Sequence, residues 1–176
     1  MNILYMGPCM PEYVALVEGL KPQGAVLTAL PGGHADIWQA LPSAEFLVTL
    51  APVTAQMIAA ARRLRLIQVA GIGYEKIDVA AAAKAGVPVA ITAGSNANTV
   101  AEHVMALVLS LYRRVPYADR TMKAGDWTQL EFYRAGNFEL AGKTLGLVGL
   151  GNVGRSIVPK AKGFGMNLIY HDVRRL

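Results

Sequence analysis

The chain has 176 residues, 53% of them apolar and 16% charged, a balance that describes a folded globular chain with a substantial core and excludes intrinsic disorder. Its net charge of +5 is the excess of 17 basic over 12 acidic residues, and the basic ones are scattered rather than clustered. Pairs such as Arg62–Arg63 and Arg113–Arg114 stand singly, without an aromatic-interleaved stripe, so no nucleic-acid partner is expected.

Residues 1–20 lack the basic start, continuous apolar run and small-residue cleavage site of a secretory signal, and "NILYM" reads instead as a first strand. Cys9, the single cysteine, excludes an internal disulfide; it reads as a small buried hydrophobe near a strand end and fits a reducing, cytoplasmic setting. Further runs, "AVLTA", "FLVTL", "LRLIQVA" and "VPVAI", are short, rich in branched and aliphatic residues, and bounded by Gly or Pro. Helical candidates lie between them at 12–20, 34–40, 54–61 and 78–84. Thr54 and Asp78 are placed to cap the last two. The alternation predicts right-handed crossovers and a parallel sheet of about five strands.

A loop of small and polar residues, "TAGSNAN" at 92–98, precedes the longest helix candidate, residues 99–114. The centre of that helix, "VMALVLSL", is apolar almost all the way round, which predicts burial between layers, between domains or against a second subunit. The apolar run 104–109 is far too short to span a membrane, and no membrane partner is expected. A domain boundary is expected near residue 97. The segment 123–143 has no clear period and reads as an irregular connection, with Trp127, Phe132 and Tyr133 as packing anchors.

The stretch "KTLGLVGLGNVGRS" at 143–156 carries the clearest chemistry. Residues 144–149 read as a strand buried on both faces, of the kind found in parallel sheets. Gly149, Gly151 and Gly154 follow with Gly-x-Gly-x-x-Gly spacing. The first permits a tight turn, the second lets a pyrophosphate approach the backbone, and the third lets the next helix pack closely. Asn152 and Val153 open that helix, where unpaired N–H groups and the positive dipole end favour a phosphate. Pro159, inside the same helix, should kink it or cost about 3 kcal/mol.

A second strand, "MNLIYHD", ends in Asp172, about 20 residues beyond the middle glycine, where a dinucleotide presents its adenosine ribose hydroxyls. The alternative for Asp172 is a solvated strand-end carboxylate. Strand, glycine turn, helix, strand and acid in this order predict dinucleotide binding. Asp172 favours NAD over NADP because a carboxylate repels a 2′-phosphate, although Arg174 and Arg175 just past it could hold one. No internal repeat and no metal site is read.

With these pieces in place the sequence resembles the D-isomer-specific 2-hydroxyacid dehydrogenases, the family of phosphoglycerate, glycerate, D-lactate and formate dehydrogenases. The resemblance is carried by "VAGIGYEKIDVAAAAKAGVPV" (69–89), "SNANTVAEHVMALVLSLYRR" (95–114), "KAGDW" (123–127) and "ELAGKTLGLVGLGNVGRSI" (139–157). It implies a flavodoxin-like parallel-sheet substrate domain (1–97), followed by the first βαβ unit of a Rossmann NAD-binding domain (98–176).

The resemblance also implies roles. Gly71, Ile72 and Gly73 match the turn whose N–H groups face the substrate carboxylate, the alternative being a tight strand-to-helix turn with no ligand. Asn96 and Thr99 match the hinge positions beside nicotinamide and substrate, although Asn96 could equally satisfy its own loop backbone. Glu102 and His103 read as structural members of the long helix. The family's catalytic groups, an arginine that polarises the substrate carbonyl and a histidine oriented by a carboxylate, are implied to lie beyond the second strand of the nucleotide domain. None of His34, His103 and His171 occupies a matching motif, so no catalytic residue is assigned. The expectation is the truncated N-terminal part of a hydride-transferring oxidoreductase, acting on a small 2-hydroxy or 2-oxo acid, inactive by itself and dimerising through helix 99–114. The alternative is a non-catalytic NAD-binding or dimerisation module of the same fold.

Overall fold

The computed structural model describes residues 1–136 and 138–174. It divides into two compact units, Met1–Ala93 and Gly94–Leu176.

The first unit alternates strand and helix throughout: β1 (Asn2–Met6), α1 (Pro11–Leu20), β2 (Val26–Leu30), α2 (Ile37–Ala40), β3 (Phe46–Thr49), α3 (Ala55–Ala60), β4 (Leu66–Val69), α4 (Val79–Lys84) and β5 (Val89–Ala90). All five strands are parallel, in the order β2-β1-β3-β4-β5, the flavodoxin-like order. Thr54 caps α3 by accepting from Met57 N–H, and Asp78 caps α4 by accepting from Ala81 N–H. Leu4, Met6, Leu41, Leu47, Val53 and Ile67 form the centre of the core. One polar residue is buried with them. The Thr49 hydroxyl lies within bonding distance of Met6 O and Ala51 O and accepts from Ala51 N–H, which anchors the chain where it leaves β3. Cys9 is half-buried rather than buried, its thiol donating to Gly7 O.

The second unit contains α5 (Ala97–Tyr112), α6 (Val115–Lys123), α7 (Gln129–Ala135), β6 (Thr144–Val148), α8 (Asn152–Gly163) and β7 (Asn167–His171). β6 and β7 pair in parallel, Thr144 opposite Asn167 and Val148 opposite His171. The unit begins at Gly94, ahead of residue 97, because the loop before α5 packs on the start of α8: a β-carbon on Gly94 would lie 2.9 Å from Asn152 Nδ2. α5 and α8 pack through Ala101 and Ala161, both fully buried and small enough for close approach, with Met105 and Ile157 beside them.

Several expectations are corrected here. Strand β6 is not buried on both faces. Leu145 and Leu147 pack inward, whereas Thr144, Gly146 and Val148 are exposed, Val148 to 93%, because the helices cover only one face of this two-stranded sheet. Within the single chain helix α5 is buried along one stripe only, Ala97, Ala101 and Met105, leaving Leu107 57% and Leu111 76% exposed, so of the expected kinds of burial the packing inside its own unit does not enclose the helix.

The segment 123–143 is not wholly irregular, since it contains α7. That short helix lacks a side-chain cap and is held from outside: the Phe132 ring packs on Tyr117 of α6 at 5.7 Å, the Tyr117 hydroxyl bonds Glu131, and the Arg114 guanidinium lies 4.8 Å from the Tyr117 ring and 5.6 Å from that of Phe132. Of the three expected anchors only Phe132 packs; Trp127 and Tyr133 are 76% and 87% exposed. Pro159 neither ends nor interrupts α8, which runs through it to Gly163.

Candidate functional site

The glycine turn after β6 has the geometry that its spacing requires. Gly149 adopts φ +93°, a left-handed conformation that side chains strain to reach. A β-carbon on Gly151 would meet nothing within 4 Å, so the backbone there faces open space. A β-carbon on Gly154 would lie 2.5 Å from Gly149 O, so only glycine lets α8 sit this close to the turn. The N–H groups of Gly151, Asn152, Val153 and Gly154 have no protein partner among the described residues. Four unpaired donors at the positive end of a 12-residue helix form a site matched to an anion.

Asp172 follows β7 directly, and its carboxylate turns back into the glycine turn. Its Oδ2 accepts from Leu150 N–H at 2.6 Å and its Oδ1 from Arg174 N–H at 3.2 Å. The Leu150 bond, and then the Arg174 bond, hold the carboxyl below its ordinary range, keeping it ionised. The acid is therefore not a free solvated carboxylate, nor is it wholly committed, because each oxygen retains acceptor capacity beyond its one backbone bond. Arg174 is exposed beside it. Arg175 lies outside the described residues.

At the head of α5, Asn96 occupies the N-cap position but its carboxamide caps nothing, and Thr99 is exposed; neither side chain has a hydrogen-bond partner among the described residues. Their neighbour Asn98 is tied down, donating to Glu102 Oε1 at 2.8 Å and accepting from Lys160 Nζ of α8 at 2.5 Å. His103 points to solvent on the same helix.

In the first unit, Gly71, Ile72 and Gly73 leave the carboxyl end of β4. Their three N–H groups have no protein partner among the described residues, while Gly71 O accepts from Thr92 N–H at 2.9 Å. A β-carbon on Gly71 would find only ordinary contact, with Leu50 Cδ2 at 3.8 Å. Consecutive unpaired amides of this kind suit a carboxylate. The histidines do not gather at either place: His34 accepts from Asp36 N–H, and His171 is exposed at the end of β7.

One residue of this region was not singled out by sequence reasoning. Arg155, in the first turn of α8, donates from Nε to Leu150 O at 3.0 Å. Nothing in its local sequence marks it, since its partner is the backbone of the turn.

A family model described as D-isomer specific 2-hydroxyacid dehydrogenase, catalytic domain, matches residues 16–164. The chain is 37% identical over 175 residues to a D-3-phosphoglycerate dehydrogenase of Archaeoglobus fulgidus, covering 98% of this chain and 32% of that protein. It is 36% identical over 173 residues to a chloroplastic/mitochondrial formate dehydrogenase of Arabidopsis thaliana, covering 93% and 44%. Among solved structures, the NAD-dependent formate dehydrogenase of Staphylococcus aureus in complex with NAD superposes with a TM-score of 0.81 at 26% identity, over 98% of this chain and 56% of that one. The chain thus spans between about a third and a half of the length of these relatives.

Proposed function

Because the chain belongs to the D-isomer specific 2-hydroxyacid dehydrogenase family, we propose that it supplies the substrate-carboxylate turn and the first cofactor-binding elements of an oxidoreductase that moves a hydride between NAD(H) and a small 2-hydroxy or 2-oxo acid. The observation that carries this reading is the glycine turn, with its open Gly151 and four unpaired amides.

The residues present fit a dinucleotide. The N–H groups of Gly151, Asn152, Val153 and Gly154 would bind its diphosphate, with Gly149 forming the bend that aims them. Asp172, ionised and held in place, would accept from the ribose hydroxyls, and its fixed charge disfavours a 2′-phosphate, so NAD is the cofactor proposed and NADP the weaker ligand. Arg174 would lie beside that ribose. Thr99 and Asn96, with uncommitted side chains, would flank the nicotinamide and the substrate. When bound, NADH supplies the hydride that reduces a 2-oxo acid at C2. The amides of Gly71, Ile72 and Gly73 would hold the acid's carboxylate and orient it.

No residue of this chain is assigned to polarise the carbonyl or to move the proton. Binding without turnover is therefore the expected behaviour of these 176 residues. Titration with NADH, followed by nucleotide fluorescence, should show saturable binding that NADPH matches only at higher concentration. Addition of glyoxylate or hydroxypyruvate should give no steady-state oxidation. Absence of any NADH binding would remove this reading, and sustained turnover would show that these residues include a catalytic group. A cytoplasmic setting belongs to the same proposal and is supported by the lone, unpaired Cys9.

A second reading, a non-catalytic NAD-binding or dimerising module, is favoured by the exposed Leu107 and Leu111 on α5. A soluble monomer indifferent to NADH would rule it out.

A further inference from the structure

The glycine turn poses a physical problem. Glycine loses more freedom on ordering than any other residue, and this turn has three in six residues, so a turn held only by its ligand would lose affinity to that ordering. The structure holds it in advance. Gly149 N–H donates to His171 O at 2.8 Å, which ties the bend to the end of β7. The residue at the apex, Leu150, is then gripped through both of its backbone polar groups by charged side chains: its N–H by Asp172 Oδ2 at 2.6 Å and its C=O by Arg155 Nε at 3.0 Å. Charge-assisted bonds of this kind are roughly twice as strong as neutral ones. No ion pair joins Arg155 to Asp172 among the described residues, so the peptide groups of Leu150 are what connects them.

We propose that Arg155 and Asp172 form a two-sided clamp on Leu150 that presets the glycine turn before nucleotide arrives, which makes Arg155 a positioning residue for cofactor binding. The inference rests on the nucleotide reading above and adds to it. It also divides the backbone amides by task. Leu150 N–H is spent on the clamp, and the amides of Gly151 to Gly154 are left for the diphosphate. Asp172 then has a task in the nucleotide-free protein that is separate from accepting the ribose hydroxyls.

The test compares Arg155→Met, Arg155→Lys and Asp172→Asn with the parent chain by amide hydrogen exchange without nucleotide, followed by NMR, and by titration with NADH. The clamp predicts that exchange at Leu150 accelerates about tenfold in Arg155→Met and Asp172→Asn, while exchange at Ile169 in the middle of β7 stays unchanged. Arg155→Lys should restore part of the protection, because an ammonium can still donate to Leu150 O. NADH affinity should fall about five- to tenfold in Arg155→Met, and Arg155→Lys should recover affinity only as far as it recovers protection at Leu150. Parent-like NADH affinity in Arg155→Lys while Leu150 exchange stays as fast as in Arg155→Met would mean that the charge itself, through space, serves the nucleotide, which overturns the positioning role. Unchanged Leu150 exchange in both variants overturns the clamp whatever the nucleotide does, as does acceleration shared equally by Ile169. If the parent chain binds no NADH, the function proposed above fails, while the exchange measurements still decide the clamp.

Discussion

A β-carbon on Gly154 would lie 2.5 Å from the carbonyl oxygen of Gly149, so helix α8 touches the bend that precedes it at a distance no side chain permits. Gly154→Ala must push the helix off the turn. Overpacking of this kind costs about 1–3 kcal/mol, which should appear as a lower urea midpoint for the second unit. Gly151→Ala is the matched control, because its β-carbon meets nothing within 4 Å and its φ of −73° suits alanine. That variant should unfold like the parent yet bind NADH at least about tenfold more weakly, since the methyl group occupies the space proposed for the diphosphate. Parent-like affinity in Gly151→Ala would count against the cradle.

Asp172 makes stability depend on acid. Its carboxyl in the folded chain titrates below the ordinary value of 3.8, chiefly through the bond from Leu150 N–H. A folded value lower than the unfolded one means that the unfolded chain binds the proton first. The stabilisation is therefore complete above the ordinary value and disappears as pH falls through the lower, folded one. Denaturation of the parent between pH 6 and pH 3 should show a loss in the acid part of the range that Asp172→Asn lacks. Parallel curves for the two proteins would reject the assignment.

Thr49, fully buried at the end of β3, supports the first unit through its hydroxyl as well as its methyl group. Thr49→Val keeps the volume but leaves Ala51 N–H without its acceptor. A partly buried donor stranded in this way, together with the lost hydrogen bond, costs about 1 kcal/mol. Thermal unfolding should register the loss, whereas Thr49→Ser, which keeps the hydroxyl and loses a methyl, should retain the hydrogen bonds and lose only about 1 kcal/mol of packing.

Leu107 and Leu111 lie on the open side of α5, 57% and 76% exposed. If a second copy of this chain covers them, Leu107→Glu/Leu111→Glu should convert a dimer to a monomer in sedimentation velocity without loss of helical content. A parent chain that sediments as a monomer at tens of micromolar would remove the dimer proposal.

Much of this protein was legible from local pattern. The five parallel strands follow from short branched runs separated by helical ones, Thr54 and Asp78 cap the helices they precede, and the spacing of Gly149, Gly151 and Gly154 anticipates a bend, an open site and a close contact. Each depends on residues a few positions apart, so the signal survives in the linear chain. Helix α7 was missed for the opposite reason. Seven residues without a side-chain cap carry little propensity of their own, and the helix forms because Phe132 finds Tyr117 and Arg114 on the preceding helix. The two-faced burial expected of β6 also failed, because composition marks a residue as apolar without saying which face of a sheet receives a helix.

The sequence by itself determined that an acid would stand at the tip of β7 and a glycine bend at the tip of β6. Only the tertiary structure decided that the two would bond. The β6–β7 register sets Val148 opposite His171, which carries Asp172 to the amide of Leu150, 22 positions earlier in the chain. From the other side, the first turn of α8 brings Arg155 back to the same residue. Backbone groups look alike at every position of a sequence, so a side chain whose partner is a peptide bond can be recognised only once the chain has folded around it.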